Sequence, residues 1–257
     1  MIRLGLRNLN KRFGGVAATN DVSFDVPAAG VTAVIGPNGA GKTTLFNLIS
    51  GFLPPDSGEI FFEGAPIAAL KPHRRARLGL VRTFQLVQLF SDMSALDNVK
   101  VGRHTRTQAG LLGAVLRSPA ARAEEREIDR ACRELLDFVG IAHLCDRPAK
   151  VLPYGQQRLL EVARALAAEP KLLMLDEPAA GLDAGDSQRL AATIRKVAER
   201  GVTVLLIEHD MNLVMSVADH VVVLDFGSRI AEGPPAAVRS DPAVLAAYLG
   251  GVEIAHG

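Results

Sequence analysis

The feature that most constrains this chain is a glycine-rich segment that fits the pattern GxxxxGK followed by Ser or Thr. An apolar run, Val31–Ile35, precedes the segment, and residues 45–49 after it are largely apolar. This context predicts strand, loop and helix, in which backbone N–H groups and the helix N-terminus converge on phosphate. We therefore predict nucleotide binding in preference to a turn that only joins strand to helix. The segment consists of Gly36, Pro37, Asn38, Gly39, Ala40, Gly41, Lys42 and Thr43.

The polar residues at the end of this segment have distinct expected tasks. Lys42 is placed to reach the β- and γ-phosphates, and the hydroxyl of Thr43 is suited to Mg²⁺. Thr44 is placed for the α-phosphate. The sequence thus predicts ATP and Mg²⁺ as the nucleotide and its metal.

Two acids follow a second apolar run, residues 172–175, as Asp176 and Glu177. A buried strand here would deliver both carboxylates to the carboxyl edge of a sheet, where ligands bind in such folds. Asp176 is expected to hold Mg²⁺ directly or through water, and Glu177 to polarise the water that attacks the γ-phosphate. In isolation, two such acids favour a solvated loop or a helix cap. The phosphate loop shifts the interpretation to ATP hydrolysis.

A third apolar run, residues 202–207, ends in Glu208, His209 and Asp210. His209 is expected at the same sheet edge, where an imidazole can donate a hydrogen bond to the γ-phosphate. A purely structural histidine is the alternative.

The rest of the chain reads as an α/β protein with two additions. Residues 117–134 are dense in Arg and Glu, which predicts a helical insertion, and the last stretch from Pro234 predicts a short helical tail. Later apolar runs predict a buried parallel sheet. Period-two alternation near the start predicts antiparallel strands; its apolar positions are Ile2, Leu4, Leu6, Val22, Phe24 and Val26.

Charge and hydropathy argue against a nucleic-acid-binding protein, a membrane-spanning protein and a secreted protein. The chain has 257 residues with 29 Lys and Arg against 28 Asp and Glu, a net charge of +1, so no nucleic-acid partner is expected. No apolar run approaches the roughly 20 residues of a spanning helix, and the chain opens without a secretory signal pattern. The expected location is the cytoplasm.

Further motifs lie between and after these segments. They are Gln85, the run Leu152-Pro153-Tyr154-Gly155-Gln156 and the run Ala180-Gly181-Leu182-Asp183. With the earlier segments, the set resembles the ATP-binding subunit of ABC transporters over nearly the whole chain. The resemblance implies a P-loop NTPase (RecA-like) core with an N-terminal antiparallel β layer and an inserted α-helical subdomain. It implies one ABC ATPase domain, 1–257, with 1–87 and 161–257 as nucleotide-binding core and 88–160 as helical signature subdomain.

In detail, the chain is similar to the longer ATPase subunit of branched-chain amino acid importers. The residues that carry this are Val81-Arg82-Thr83-Phe84-Gln85, Tyr154-Gly155-Gln156-Gln157-Arg158, Glu208-His209-Asp210-Met211 and Ala247-Tyr248-Leu249-Gly250. ATPases of urea and lipopolysaccharide systems share some of them, and a soluble ATP-switched clamp uses the same ATP sandwich.

The resemblance implies a fuller set of site residues. Phe13 would stack on adenine or belong to the core, and Gln85 would touch Mg²⁺ and the attacking water. The expected catalytic residues are Glu177, His209, Gln85 and Lys42, and the expected metal ligands are Thr43, Gln85 and Asp176. Further nucleotide contacts are expected from Leu152, Gly155 and Gln156, which in the family meet the γ-phosphate held by the other subunit.

The resemblance also implies partners and a location. A second ABC ATPase subunit, identical or different, would complete a head-to-tail dimer, and integral membrane permease subunits would dock on it. A solute-binding protein would act indirectly. The chain would thus sit peripherally on the inner face of the cell membrane.

Two departures from the family pattern concern the signature. Pro153 stands in the place of Ser and removes a hydroxyl and a backbone N–H, while Tyr154 replaces a Gly. Proline is tolerated at the entry to a helix, so we expect the fold to survive. One lost hydrogen bond to phosphate would weaken the ATP sandwich by about 1 kcal/mol.

Two surface segments allow two interpretations each. The apolar residues 86–90 suggest either a groove for a partner's helix or core packing. The basic residues 71–77 favour a solvated helix face over a surface for lipid headgroups or nucleic acid.

Overall fold

The computed structural model describes the backbone of residues 1–83, 88–103 and 119–253, and the side chains of 1–83, 88–103 and 123–248. The described residues fall into two compact units. The first draws on Met1–Gln85, Lys171–Gly181 and Ile194–Gly257, and the second on Leu86–Pro170 and Leu182–Thr193.

The first unit contains two sheets and the helices that cover them. Its strands are β1 (Ile2–Phe13), β2 (Val16–Pro27), β3 (Val31–Ile35), β4 (Ser57–Phe62), β5 (Ala65–Pro66), β6 (Leu80–Arg82), β7 (Leu172–Asp176), β8 (Thr203–Ile207), β9 (His220–Asp225) and β10 (Ser228–Gly233). Its helices are α1 (Lys42–Ser50), α2 (Pro72–Leu78), α7 (Met211–Val217), α8 (Pro235–Arg239) and α9 (Pro242–Glu253).

The second unit is helical in its described residues. It contains α3 (Ala95–Arg103), α4 (Pro119–Phe138) and α5 (Tyr154–Ala167), with 3₁₀ turns at Ala142–Leu144 and Ala149–Val151. Helix α6 (Ala184–Glu199) begins in this unit and ends in the first. Gly102 allows α3 and α5 to pack closely, because a Cβ there would lie 2.0 Å from the Arg164 carbonyl oxygen.

The two sheets confirm the predicted strand types. A four-stranded antiparallel sheet has the order β2-β1-β4-β5, and a six-stranded sheet has the order β10-β9-β3-β8-β7-β6. The second sheet is parallel except for the β9–β10 hairpin. The predicted apolar positions of β1 and β2 are buried, apart from Ile2, which is exposed at the sheet's end.

Strand β3 is buried on both faces, which explains its continuous apolar sequence. Val34 packs in the core beside Leu45 and Phe46 of α1. Ala33 and Ile35 pack in a second core with α7 and the C-terminal helices. The loop that follows β3 is therefore held by packing on both sides of its strand.

Helix α2 confirms the expected solvated face for Lys71, His73, Arg74 and Arg77, but not for Arg75. Arg75, in the basic segment expected to be a solvated face, is 1% exposed. Its guanidinium donates to the carbonyls of Leu48 and Ile49, at 2.7 and 2.6 Å, and to those of Leu70 and Ala68, at 2.9 and 2.8 Å. The bonds to α1 reach carbonyls of its last turn, where intrahelical donors are lacking; the Leu48 carbonyl also accepts the Gly51 N–H at 3.2 Å. Burial lowers the pKa of Arg75 to about 10.

Among the described helices, none combines the length and the apolar character needed to span a bilayer.

Arg75→Met should lower the free energy of unfolding by about 3 kcal/mol, because several buried carbonyls lose their donor at once. Urea unfolding followed by circular dichroism measures this. Arg74→Met, on the exposed side of the same helix, is the control and should stay within about 0.5 kcal/mol of the parent. Equal effects of the two substitutions would contradict the role of Arg75 in fixing α1.

Candidate functional site

The glycine-rich loop connects β3 to α1 as predicted. Gly36 and Gly41 have φ of 150° and 97°, values that residues with a side chain rarely adopt. A Cβ on Gly36 would lie 2.1 Å from the Leu224 carbonyl oxygen, and one on Gly41 would lie 2.1 Å from that of Ala18. The loop thus lies directly against strands β9 and β2, and only glycine fits at these two points.

Lys42 begins α1 and is buried. Its Nζ donates to the carbonyls of Gly36 and Pro37, at 2.7 and 2.9 Å. Burial lowers the pKa of the ammonium, while the negative charges of Glu177 and Asp176 oppose that shift. The lysine therefore lies inside the loop, where the negative charges of both predicted carboxylates influence its pKa.

A cavity of about 500 Å³ opens beside the loop. It brings together eight residues that the sequence predicts for the site: Asn38, Gly39, Ala40, Gly41, Lys42, Thr43, Thr44 and Glu177. Val16, Ala17, Ala18 and Phe226 complete the lining.

Phe13 is not among these lining residues. It lies at the end of β1 with 49% of its surface exposed, and Lys11 Nζ is 5.8 Å from its ring centroid. This exposure excludes the core alternative. Stacking on adenine stays a prediction.

Phe226, by contrast, lines the cavity and was not singled out from the sequence. It is 84% exposed, with φ of 42°, in the turn between β9 and β10. The Gly227 N–H donates to the Ala40 carbonyl at 3.1 Å and fixes this turn beside the loop. The Phe-Gly pair signals a hairpin turn, but no local pattern signals which loop the hairpin contacts.

The two predicted acids lie where the strand argument places them. Asp176 ends β7 and is buried, and its Oδ2 accepts a hydrogen bond from Arg82 Nη2 at 2.7 Å. Glu177 is the next residue and has φ of 45°, an uncommon left-handed conformation for a side chain of its size. Its N–H donates to the Ile207 carbonyl at 3.0 Å, which holds this backbone in place.

His209 lies next to Glu177, as expected for two strand ends at one sheet edge. Its Nδ1 is 3.8 Å from Glu177 Oε2, and its side chain is 60% exposed. His209 is not among the residues that line the cavity, but its exposed imidazole lies beside Glu177, which does line it. The structure therefore brings these two predicted catalytic groups together.

Glu208 was missed as a site residue and organises this edge. Its side chain is fully buried, and it accepts the Ala179 N–H at 2.9 Å, the His209 N–H at 3.0 Å and the Asp210 N–H at 3.3 Å. One carboxylate thereby joins the loop after Glu177 to the loop that carries His209. The signal that could have identified Glu208 in the sequence is its position: it is an acidic residue directly after the apolar strand β8.

The signature-like segment lies in the second unit. Pro153 directly precedes α5, which begins at Tyr154, so the helix tolerates the proline as expected. The Tyr154 hydroxyl accepts from Arg158 Nη2 at 2.7 Å, and Arg158 Nη1 pairs with buried Glu161 at 3.1 Å. Glu161 also accepts the Gln88 N–H at 2.9 Å. Burial raises the pKa of Glu161 although these donors act against it.

The burial and contacts of the other signature residues, Leu152, Gly155 and Gln156, differ from one another. Leu152 is buried. A Cβ on Gly155 would lie 2.1 Å from Asp186 Cγ, so within this chain the group that approaches Gly155 closely is the Asp186 side chain. Gln156 Oε1 is buried and has no hydrogen-bond partner in the described part of the chain.

Two expectations fall partly or wholly outside the described residues. Gln85 lies outside them, so its contacts with metal and water stay predictions. Of the apolar segment 86–90, residues 86 and 87 also lie outside, while Phe90 is 49% exposed.

Comparison with protein families gives two matches. The ABC transporter family matches residues 19–180. A family described as the branched-chain amino acid ATP-binding cassette transporter matches residues 228–254.

Relatives match along nearly the whole chain. The high-affinity branched-chain amino acid transport ATP-binding protein BraF of Pseudomonas aeruginosa is 46% identical over 248 residues, which cover 96% of this chain and 97% of BraF. The corresponding LivG protein of Escherichia coli K12 is 41% identical over 249 residues, with the same coverage of 96% and 97%.

Solved structures agree with these matches. A crystal structure of an ATP-binding cassette of an ABC transporter in its ADP conformation has a TM-score of 0.85 and 36% identity, and the match covers 97% of this chain and 99% of that one. A nucleotide-free cassette gives a TM-score of 0.83 and 35% identity, with coverage of 96% and 99%.

Gly41→Ala should lower ATP affinity at least tenfold and destabilise the chain, because its Cβ meets a backbone oxygen that cannot yield. Gly39→Ala is the matched control: its φ of 82° is also left-handed, but a Cβ there meets nothing within 4 Å. It should cost only about 1 kcal/mol of stability. Calorimetric titration with ATP and thermal unfolding compare the two, and similar losses in both would refute the close-approach argument.

Proposed function

Because the chain belongs to the ABC transporter family of ATP-binding cassettes, we propose that it is the ATP-binding and ATP-hydrolysing subunit of an importer for branched-chain or related amino acids. One observation carries the activity: the glycine loop, Lys42 and Glu177 line the same cavity. The solute class is supported by the match of residues 228–254 and by the two named relatives. Urea and lipopolysaccharide systems are less well supported, since neither appears among these relatives.

The chemistry of the donors fits a nucleotide with Mg²⁺. Loop N–H groups and Lys42 suit phosphates, while the Thr43 hydroxyl and the Asp176 carboxylate are the hard oxygen ligands that Mg²⁺ prefers. Within the described residues no cluster of three or more His, Cys, Asp and Glu is suited to a metal. That pattern fits Mg²⁺, which is commonly held by one or two carboxylates together with substrate phosphates.

The predicted site residues would then have distinct tasks. Thr43 and Asp176, with Gln85, would hold Mg²⁺, which when bound neutralises charge on the phosphates. Lys42 would leave the loop carbonyls and bind the β- and γ-phosphates. Glu177 would accept a proton from the attacking water, and His209 would donate to the γ-phosphate.

The signature segment supports a second nucleotide contact. We infer that Leu152, Gly155 and Gln156 face the γ-phosphate bound by another ATPase subunit, identical to this chain or different from it. Binding of two ATP molecules would close the pair, and hydrolysis would reopen it. The hydrogen bond from Arg158 to Tyr154 supports this interpretation, because it fixes the residue that replaces the family's glycine.

The remaining proposals concern organisation and place. Residues 1–87 and 161–257 would form the nucleotide-binding core and residues 88–160 the helical subdomain. Permease subunits would dock on the cassette and hold it at the inner face of the cell membrane, and a solute-binding protein would deliver the amino acid to them.

Glu177→Gln should lower kcat for ATP by about 10² to 10⁴, because the glutamine keeps the size of the side chain but cannot accept the proton. ATP affinity should change little, and the variant should form dimers at saturating ATP that size exclusion detects. Turnover equal to wild type would refute the role of Glu177, and a strictly monomeric elution would count against the sandwich.

Affinity purification from detergent-solubilised native membranes tests the importer proposal. We expect two polytopic proteins and a second ATPase among the co-purifying proteins, identified by mass spectrometry. The Gly41→Ala variant, which should bind ATP weakly, serves as a control that shows whether recovery of these proteins depends on bound nucleotide. Soluble partners alone would favour the ATP-switched clamp instead.

A further inference from the structure

We propose that Arg82 is a positioning residue that fixes the Asp176 carboxylate for its task at the nucleotide; this inference rests on the proposed function. Arg82 Nη2 lies 2.7 Å from Asp176 Oδ2, and the two side chains are 7% and 6% exposed. Two charges so far from water are held at a hydrogen-bonding distance. The contact therefore has a defined geometry, unlike an exposed ion pair.

The same guanidinium also binds the helix that follows the phosphate loop. Arg82 Nη1 donates to Asn47 Oδ1 at 2.7 Å and to Ser50 Oγ at 3.0 Å. Both acceptors lie on α1, which begins with Lys42. One rigid, planar group thus connects the end of β7 to the helix that directly follows the glycine-rich loop.

Aromatic rings and the sheet restrict Arg82 further. Its guanidinium carbon lies 5.5 Å from the ring centroid of Phe46 and 6.0 Å from that of Phe52. Its backbone pairs with Met174 of β7, and the next N–H, of Thr83, donates to the Met174 carbonyl at 2.9 Å. With both its backbone and its side chain fixed, Arg82 can act as a template for Asp176.

The contact engages one carboxylate oxygen and leaves the other available. Asp176 Oδ1 has no hydrogen bond in the part of the chain that the structure describes. Without Arg82, a nearly buried carboxylate would lose its only described salt-bridge partner, and it would rotate or draw in water to recover solvation. Arg82 therefore determines which oxygen of Asp176 remains free for a cation.

Lysine cannot reproduce this arrangement. An ammonium is a compact charge on a flexible stem, whereas the guanidinium presents separate nitrogens to the carboxylate and to α1 at the same time. Arg82→Lys keeps the charge but loses the fork, so it should retain part of the effect. Arg82→Met keeps an apolar stem near the two rings and loses both the charge and the fork.

Arg195 offers a matched control in the same unit. Arg195 Nη1 pairs with Asp219 Oδ1 at 2.8 Å and donates to the Val217 carbonyl at 2.9 Å. These side chains are exposed, and neither lines the cavity described above. Arg195→Met thus removes an arginine–aspartate pair without touching the proposed site.

The experiment measures the affinity for the non-hydrolysable analogue AMP-PNP, by calorimetry, in excess EDTA and in excess Mg²⁺. With EDTA, Arg82→Met should bind within twofold of wild type. The gain in affinity on adding Mg²⁺ should fall at least tenfold in Arg82→Met and less in Arg82→Lys, and should be unchanged in Arg195→Met. In steady-state assays, Arg82→Met should need more Mg²⁺ for half-maximal turnover.

The outcomes separate this inference from the proposed function. A Mg²⁺ gain in Arg82→Met within twofold of wild type would overturn the positioning role, and so would an equal loss of affinity with and without Mg²⁺, which marks a packing residue. If Arg82→Met does not fold, Arg82→Lys decides by the same two criteria. A wild-type chain that binds no AMP-PNP in either condition would instead refute the proposed function.

Discussion

The phosphate loop depends on two backbone contacts that leave no room for a side chain. At Gly36 the loop lies against the carbonyl of Leu224, and at Gly41 against that of Ala18. Strands β9 and β2 belong to different sheets, so both sheets must be in place before the loop takes its shape. The N–H groups that suit phosphate are therefore a product of the whole first unit and not of the glycine-rich segment alone.

The local elements around the site could be predicted from the sequence, because each has a period or a motif that depends only on neighbouring residues. The loop, the strand ends at Asp176 and Glu177, and the placement of His209 are of this kind. Arg82 and Phe226 could not be assigned, since their tasks arise from segments far apart in the chain. The acidic residue after β8 could have drawn attention to Glu208, but not to the loops that it joins. Arg75 shows the same limit: a basic run favours exposure, and only the C-terminus of α1 explains why this member is buried.

The two departures in the signature segment have different physical outcomes. Pro153 takes a position before α5 where a proline costs little. Tyr154 takes part in a chain of polar contacts. Its hydroxyl accepts a hydrogen bond from Arg158, Arg158 pairs with Glu161, and the Glu161 carboxylate accepts the Gln88 N–H. The start of the helix is thus connected through buried charge to the segment that follows residue 87. A small residue at position 154 would leave Arg158 without this acceptor.

Glu208 has a consequence for motion. Its carboxylate accepts N–H groups from Ala179, two residues after Glu177, and from His209 itself. If either loop moves away alone, it leaves a fully buried carboxylate with fewer donors, which is costly. Glu177 and the His209 imidazole are therefore expected to shift as one body, so that a displacement at the end of one strand reaches the end of the other.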